Sequence, residues 1–279
     1  MLPIFALDRR RVCLKPILQV IFEQLYDGGI REFCFIVGRG KESIYDHFTC
    51  DENFLYALKK EKKNGLAKEL RTFYEKIGLS SIVFINQPSA SGFGDAVLTA
   101  RPYINEPFLV QAGDTIIFSK KNRYVSRLEN IQKQFNAAAT FLVQEVVNPK
   151  PYGVIKGQEI KRGIYDVEMV VKKPKKPPTN LAITAVYLFN PTIFEALKST
   201  PKGYRKELQL TDGIQILIES GFKVMALQLD ADEPWFDIGN PQSYHDVLQK
   251  SYFYAKKSRT EEALLEKEEN TEVEYEKAI

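Results

Sequence analysis

Short apolar runs alternate along this chain with longer amphipathic segments, and this alternation restricts the possible folds more than any other feature. The apolar runs lie at residues 33–37, 81–85, 108–110 and 139–143. Such runs are typical of strands that are buried on both faces of a parallel sheet. Helical patterns lie between them, at residues 16–26, 54–77 and 123–135. The alternation predicts right-handed βαβ units and an α/β fold with a doubly wound, mostly parallel sheet.

The pattern changes after about residue 149. Residues 151–155 and 167–171 are rich in β-formers and flank a turn-like Lys161-Arg162-Gly163, which predicts a hairpin in a small β-rich region. A strand at 181–189, helices at 191–198 and 211–220, and a strand at 224–229 follow. We expect one domain over residues 1–255 and a charged helical tail over 256–279. That tail is either a solvated helix or an oligomer contact.

Composition excludes several classes of function. A net charge of +3 over 279 residues argues against a dedicated nucleic-acid-binding protein. His47 and His245 are too few for a histidine metal cluster, and Cys13, Cys34 and Cys50 lack metal-like spacing, so we expect reduced thiols with Cys34 in the core. A Ser/His nucleophile remains open, although nothing suggests one. Since no apolar run reaches the ~20 residues of a membrane span, we expect a cytoplasmic protein without a membrane partner.

A segment rich in small residues follows the second apolar run. Residues 87–96 read Gln-Pro-Ser-Ala-Ser-Gly-Phe-Gly-Asp-Ala and lead into a predicted helix. Gln87 offers a hydrogen-bond donor and an acceptor, as reading a nucleobase edge requires. Gly92 and Gly94 would let a flat ring approach the backbone closely. A purely structural strand–helix turn explains the segment equally well.

Two aspartates stand in positions suited to a cation. Asp114 comes just after an apolar run, where α/β sheets bind ligands, and a carboxylate there could ligate Mg²⁺ beside phosphates. Asp237 is flanked by bulky apolar residues, and a partly buried carboxylate needs a metal, a base or backbone donors. The alternative for Asp114 is a helix-capping or loop aspartate. Together the two carboxylates predict a shared Mg²⁺ site.

Two further segments could contact a phosphorylated sugar. The basic stretch at 172–178 is either a solvated loop or a source of one lysine that points at a phosphate. The stretch Glu207-Leu208-Gln209-Leu210-Thr211-Asp212 precedes a helix. Helix capping explains Thr211 and Asp212 but leaves Glu207 available to sugar hydroxyls.

In their order and in their residues, these segments resemble the UTP–glucose-1-phosphate uridylyltransferases of bacteria and archaea, a branch of the sugar-phosphate nucleotidyltransferases. The resemblance runs from the first residue to about Tyr244. It rests on Met1-Leu2-Pro3, Lys15-Pro16-Ile17-Leu18-Gln19, residues 87–96, Tyr152-Gly153-Val154, Lys173-Pro174, Asn180-Leu181-Ala182-Ile183, residues 207–212 and Asp237-Ile238-Gly239.

The resemblance implies a Rossmann-like nucleotidyltransferase fold and a role for each matching position. The uracil contacts would be Gln87, Gly92 and Gly94. The sugar contacts would be Gly153, Asn180 and Glu207. The catalytic set would be Lys173, which meets the sugar phosphate, with Asp114 and Asp237 as the Mg²⁺ ligands.

The implied reaction converts UTP and glucose 1-phosphate to UDP-glucose and pyrophosphate, in a homo-oligomer that uses Mg²⁺. A phosphate oxygen is already anionic at neutral pH, so the reaction needs no general base. Alignment and charge neutralisation suffice. This agrees with a sequence that indicates no His- or Cys-centred site.

Two departures from the family pattern leave an alternative open. Family members carry a first strand and a Gly-x-Gly-Thr-Arg loop before Met-Leu-Pro, whereas this sequence begins at Met1-Leu2-Pro3. We therefore expect the phosphate-gripping loop to be missing and neighbouring strand edges to be exposed. Lys172 stands where the family has a glutamate, and a lysine cannot accept hydrogen bonds from hydroxyls.

These departures fit either an enzyme whose true start lies upstream or a degenerate sugar-nucleotide-binding or regulatory relative. A nicotinamide-dependent enzyme would need a Gly-x-Gly-x-x-Gly after the first strand, and the sequence has none.

Overall fold

The computed structural model describes residues 1–8, 11–119, 122–203 and 206–277. Its strands are β1 Pro3–Asp8, β2 Arg11–Pro16, β3 Glu32–Gly38, β4 Ser81–Gln87, β5 Phe108–Gln111, β6 Thr115–Ile117, β7 Ala139–Glu145, β8 Gly153–Lys161, β9 Ile164–Lys172, β10 Leu181–Phe189, β11 Val224–Gln228 and β12 Trp235–Asp237. Its α-helices are α1 Ile17–Asp27, α2 Glu42–His47, α3 Glu52–Lys60, α4 Asn64–Gly78, α5 Phe93–Thr99, α6 Arg123–Phe135, α7 Thr192–Ser199, α8 Leu210–Glu219 and α9 Pro241–Lys277.

A six-stranded sheet in the order β5-β10-β7-β11-β9-β8 forms the centre of the fold. Side chains of β7 alternate between two hydrophobic clusters. Leu142 packs on the side of α1 and α6, while Phe141 and Val143 pack on the side of α7 and α8. Helices therefore cover both faces, and the predicted α/β class is confirmed.

The sheet is mixed, which corrects the expectation of mostly parallel strands. The parallel pairs are β7–β11 and β3–β4, whereas β10 runs antiparallel to β5, β7 and β8. The strands β8 and β9 form the predicted hairpin, and a turn at Arg162-Gly163 that short can join only antiparallel strands. The sequence pattern shows that strands and helices alternate, but it does not show whether neighbouring strands run parallel or antiparallel.

The predicted single helix over residues 54–77 is two helices, α3 and α4. Lys62 adopts a left-handed φ of 58°, and the N–H of Lys63 donates to the carbonyl of Leu58 at 2.9 Å. This six-residue closure is the Schellman arrangement that ends many helices, although glycine usually occupies the left-handed position. Because this position is a lysine and not a glycine, the sequence contains no recognisable signal that the helix ends there.

A groove of about 950 Å³ separates β3 from β5. Within the described residues, β3 pairs with β4 alone and β5 with β10 alone, so each strand has one unpaired edge, and both strands line the groove. Cys34 also lines it and is half-buried, which corrects its expected place in the core. The apolar composition of β3 predicted burial on both faces, but side chains facing the groove remain partly open.

We expect the amide hydrogens of β3 and β5 that point into the groove to exchange faster than those of β7. The reason is that β7 has a paired strand on each side, whereas the groove-facing amides lack a ladder partner among the described residues. Hydrogen exchange followed by NMR measures this directly. Equal protection along all three strands would show that the two edges are covered in solution.

The last element, α9, continues without a break across the expected domain boundary at residue 255. Its first part packs on β1: the Tyr244 hydroxyl donates to the carbonyl of Pro3 at 2.8 Å, and the N–H of Phe5 donates to Ser251 Oγ at 3.1 Å. The 37-residue helix is about 55 Å long at 1.5 Å per residue. No helix in the described part of the chain combines the length and the apolar character needed to cross a membrane.

Candidate active site

The two candidate metal ligands lie at one end of a short antiparallel ribbon formed by β6 and β12. Asp237 is opposite Thr115 in the ribbon, and the N–H of Ile238 donates to the carbonyl of Asp114 at 3.0 Å. Asp114 directly precedes β6, so the ribbon register brings the two aspartates side by side. The ribbon thus brings together residues more than one hundred positions apart in the sequence, and Asp114 lines the groove.

The Asp237 carboxylate affects the ionisation of Asp114. Partial loss of hydration raises the pKa of the Asp114 carboxyl above its usual value, and the negative charge of Asp237 raises it further. One carboxylate oxygen of Asp237 accepts the N–H of Gly239 at 2.6 Å. A cation between the carboxylates would relieve their repulsion, and hard oxygen donors suit Mg²⁺.

Other ligands are needed to complete such a cation site. Among the described residues, no group of three or more His, Cys, Asp or Glu side chains is arranged to hold a metal. Mg²⁺ is commonly bound by one or two carboxylates together with phosphate and water oxygens. The Asp114–Asp237 pair therefore fits a cation that arrives with a phosphorylated ligand.

An unusual backbone position supports the turn that carries Asp114. Ala185 has a left-handed φ of 57° at the irregularity in the pairing of β10 with β7, and its carbonyl accepts the N–H of Ala112 at 3.1 Å. A non-glycine residue in this conformation is strained and persists only when its surroundings hold it. Sequence reasoning missed Ala185, because alanine carries no signal for such a conformation.

Tyr152 connects the aspartate pair to the sugar-binding candidates. Its ring meets Trp235 edge to face, with centroids 4.9 Å apart. Burial raises the pKa of the Tyr152 hydroxyl, and the charge of Asp237 adds to the effect. Its carbonyl accepts the N–H of Lys173 at 2.9 Å. The sequence pattern around Gly153 predicted no role for Tyr152.

Lys172, Gln209 and Glu207 form a polar cluster, here called the Glu207 cluster. The Lys172 ammonium donates to Gln209 Oε1, and Gln209 Nε2 donates to Glu207 Oε2 at 2.8 Å. Burial lowers the pKa of Lys172, whereas Glu207 and Asp212 oppose that change. Lys172 thus lies inside the cluster, at the position where the family pattern places a glutamate.

Gly153 is the first residue of β8, and Asn180 belongs to the segment that leads into β10. A Cβ atom on Gly153 would lie 3.2 Å from Thr211 Cγ2, so the glycine permits close packing against α8. Asn180 comes just before β10, and its amide donates to Glu145 Oε1 at 2.5 Å. The pairing of Ala182 with Val154 brings these two segments together.

The glycines of the 87–96 segment pack against residues 207–212. A Cβ atom on Gly92 would lie 2.4 Å from the Leu208 carbonyl oxygen. The N–H of Gly94 donates to that oxygen at 2.9 Å, and the N–H of Leu208 donates to the Ser91 carbonyl at 2.7 Å. These glycines therefore have a structural reason to be small, whatever they contact in a ligand.

Gln87 is held by its own loop. Its amide nitrogen donates to Asp95 Oδ2 at 2.7 Å and to the Gly92 carbonyl at 3.3 Å. These bonds fix the orientation of the Gln87 amide before any ligand arrives. Asp95, in the first turn of α5, sets that orientation. The sequence pattern predicted no role for it.

All nine predicted site residues belong to segments that adjoin one another, because contacts connect the segments in a continuous series. The loop of Gly92 touches Leu208, the adjoining Glu207 connects through Gln209 to Lys172, and Tyr152 connects Lys173 to the aspartate pair. Such a convergence of loops from several strands is typical of ligand sites in α/β proteins.

Comparisons with known proteins agree with this arrangement. The sequence profile described as nucleotidyl transferase matches residues 11–252. A UTP–glucose-1-phosphate uridylyltransferase of Streptococcus pneumoniae is 36% identical over 211 residues, which cover 73% of this chain and 69% of the relative. One of Pseudomonas aeruginosa is 29% identical over 244 residues, 85% of each chain.

A solved structure of UDP-glucose pyrophosphorylase complexed with UDP-glucose superposes with a TM-score of 0.72 at 28% identity. The matched region covers 87% of this chain and 88% of the solved chain. The resemblance expected from the sequence is confirmed. The chain therefore belongs to the nucleotidyl transferase family, and within it is similar to the UTP–glucose-1-phosphate uridylyltransferases.

Proposed function

We propose that this chain transfers a uridylyl group from UTP to glucose 1-phosphate and releases pyrophosphate. The observation that carries the proposal is the contact series that joins the Gln87 loop, the Glu207 cluster and the Asp114–Asp237 pair into one site. Relatives named for this reaction match most of the chain, which supports the same substrates here.

In the proposed reaction, a phosphate oxygen of glucose 1-phosphate attacks the α-phosphorus of UTP. A new P–O bond forms, the bond to the β-phosphate oxygen breaks, and pyrophosphate leaves with that electron pair. No proton has to be removed from the nucleophile. The task of the protein is to align the two substrates and to compensate their negative charge.

Each part of the site has a task in this scheme. The oriented amide of Gln87 would read the uracil edge, with Gly92 and Gly94 below the ring. Glu207 would accept hydrogen bonds from sugar hydroxyls, and Lys173 would neutralise the sugar phosphate.

Gly153 and Asn180 would form the remaining side of the sugar pocket. Asp114 and Asp237 would hold Mg²⁺, which supplies positive charge to the phosphates when bound.

The function is tested by measuring pyrophosphate release from UTP and glucose 1-phosphate in the presence of Mg²⁺. Release that requires both substrates and the metal supports the proposal. The position of Lys172 inside the Glu207 cluster favours a second candidate, a relative that binds UDP-glucose without catalysis. Calorimetric binding of UDP-glucose without any pyrophosphate release would select that candidate and reject the first.

As the pH falls, this site should lose its affinity for a metal ion at a higher pH than a site formed by two aspartates with ordinary pKa values. Protons compete with the cation for the carboxylates, and the raised pKa of Asp114 moves this competition upward on the pH scale. The apparent dissociation constant of Mn²⁺, measured by electron paramagnetic resonance across the acid range, tests this. A pH profile unchanged by Asp114→Asn would contradict the assignment.

We further propose that the protein forms a homo-oligomer through α9. Phe253 is exposed on the part of α9 whose side chains are described, close to the edge-to-face pair of Phe5 and Tyr252. Light scattering of the purified protein and of Phe253→Lys tests the proposal. A wild-type mass of one chain would reject it.

A further inference from the structure

Glu233 lies in the connection between β11 and β12, and its side chain is fully buried. Arg127 Nη1 contacts one carboxylate oxygen at 2.7 Å, and Ser119 Oγ donates to the other at 2.5 Å. The N–H of Asp230 also reaches the first oxygen, at 3.3 Å. Burying a charge is costly, so these partners hold Glu233 in a single orientation.

This cluster closes the ribbon that carries the aspartate pair. The N–H of Phe118 donates to the carbonyl of Pro234 at 3.1 Å, which places Ser119 and Glu233 just beyond the last bond of β6 with β12. Asp114 and Asp237 lie at the opposite end. Each strand of the ribbon has three residues, and a two-stranded ribbon this short is not stable by itself.

Arg127 attaches the ribbon to the rest of the domain. It projects from α6, which packs on the central sheet, and it also contacts Asp230 Oδ2 at 2.7 Å and the Gln228 carbonyl, at the end of β11, at 3.3 Å. One guanidinium thus binds the end of a central strand, the following loop and the buried carboxylate. The register of β12 relative to β6 depends on this attachment.

We propose that Glu233, held by Arg127 and Ser119, is a positioning residue that fixes the separation of Asp114 and Asp237 for a divalent cation. The inference rests on the proposed function, because it takes the aspartate pair as the cation ligands. Glu233 touches neither aspartate and acts through the ribbon. A role confined to stability is the competing explanation.

The test uses paired variants and a measurement of metal binding without turnover. Removing one partner of a buried ion pair leaves an unpaired charge and can unfold the protein, so Glu233 is replaced together with Arg127. The double variant Glu233→Leu/Arg127→Met keeps the volume and removes both charges, which is often tolerated. Ser119→Ala is the milder second variant. Glu195→Gln on α7, which weakens the exposed pair with Arg101 away from this loop, is the matched control.

We expect Mn²⁺ to bind the double variant about tenfold more weakly than wild type, the lower end of the effect of residues that orient metal ligands. Ser119→Ala should shift the dissociation constant in the same direction by less, and Glu195→Gln should leave it unchanged. The Mg²⁺ concentration for half-maximal pyrophosphate release should rise in parallel, with kcat at saturating Mg²⁺ close to wild type.

Two results would overturn the inference and are distinguishable. Wild-type affinity for Mn²⁺ in a folded double variant would mean that the cluster serves stability alone, with the proposed function intact. Failure of the wild-type chain to bind Mn²⁺ both alone and with UDP-glucose present would remove the cation site itself, and the proposed function with it. If the double variant does not fold, Ser119→Ala decides, and an unchanged affinity there rejects the positioning role.

Discussion

Replacing Asp237 or Asp114 by asparagine should lower the rate of pyrophosphate release by at least about 100-fold. A bound cation contributes several kcal/mol to stabilising charge on a phosphoryl group, and each 1.36 kcal/mol is a factor of ten in rate. Asparagine keeps the size of the side chain but offers a weaker, neutral ligand. Initial rates at saturating Mg²⁺ measure the effect, and Asp46→Asn, at an exposed carboxylate on α2, is the control.

Asp114→Asn should at the same time stabilise the metal-free protein. Because the pKa of Asp114 is raised in the fold, its ionised form is less favourable in the folded than in the unfolded chain. Compared with asparagine, Asp114 costs the fold no stability at a pH below the ordinary aspartate pKa. The loss of stability grows as the pH rises above that value, and it is complete once the pH has passed the raised pKa of the folded protein. Melting in the presence of a chelator should therefore show a gain near neutral pH that vanishes in acid. A loss of stability at neutral pH would contradict the electrostatic assignment.

Gly92→Ala should destabilise the fold by about 3 kcal/mol, since both strain and a steric clash are introduced. Gly92 has a φ of 109°, and the added Cβ would lie 2.4 Å from the Leu208 carbonyl oxygen. That oxygen is part of the backbone and cannot swing away. Chemical denaturation measures the change in free energy of unfolding. Because the clash pushes the segment containing Glu207, the KM for glucose 1-phosphate should rise as well.

Gly29→Ala separates strain from clash. Gly29 has a similar φ of 101°, yet a Cβ atom there meets nothing within 4 Å. This variant should cost about 1–2 kcal/mol through the backbone conformation alone and should leave the KM unchanged. Equal losses in the two variants would show that the approach to Leu208 carries no penalty.

Local patterns in the sequence predicted individual elements well. The strand at 181–189 and the helix at 123–135 match β10 and α6 at both ends, because each is a clean apolar or amphipathic run. The break at Lys62 was missed, since a lysine in a left-handed conformation leaves no pattern. The strands β6 and β12 were also missed, because three residues are too few for a periodicity and their pairing depends on a contact between distant segments.

The same limit applies to the site. Asp114, Asp237 and Glu207 could be named from the sequence because acidic residues beside apolar runs stand out. The contacts of Ala185, Tyr152 and Glu233 became visible with the tertiary structure, since each has a partner far away in the chain. The contact of Gly92 with Leu208 could not be predicted from the sequence either, because the glycine pattern fits a ligand contact and a packing contact equally well.

The groove between β3 and β5 has a consequence for cooperativity. The β3–β4 pair is joined to the remaining domain through side-chain packing, above all the aromatic contacts of Phe22 with Phe33, Phe48 and Phe73, with no main-chain ladder across the groove among the described strands. Aromatic packing resists sliding less than a ladder of backbone hydrogen bonds does. We therefore expect the β3–β4 layer with α2, α3 and α4 to behave as a separate foldon, which opens while the six-stranded sheet stays intact.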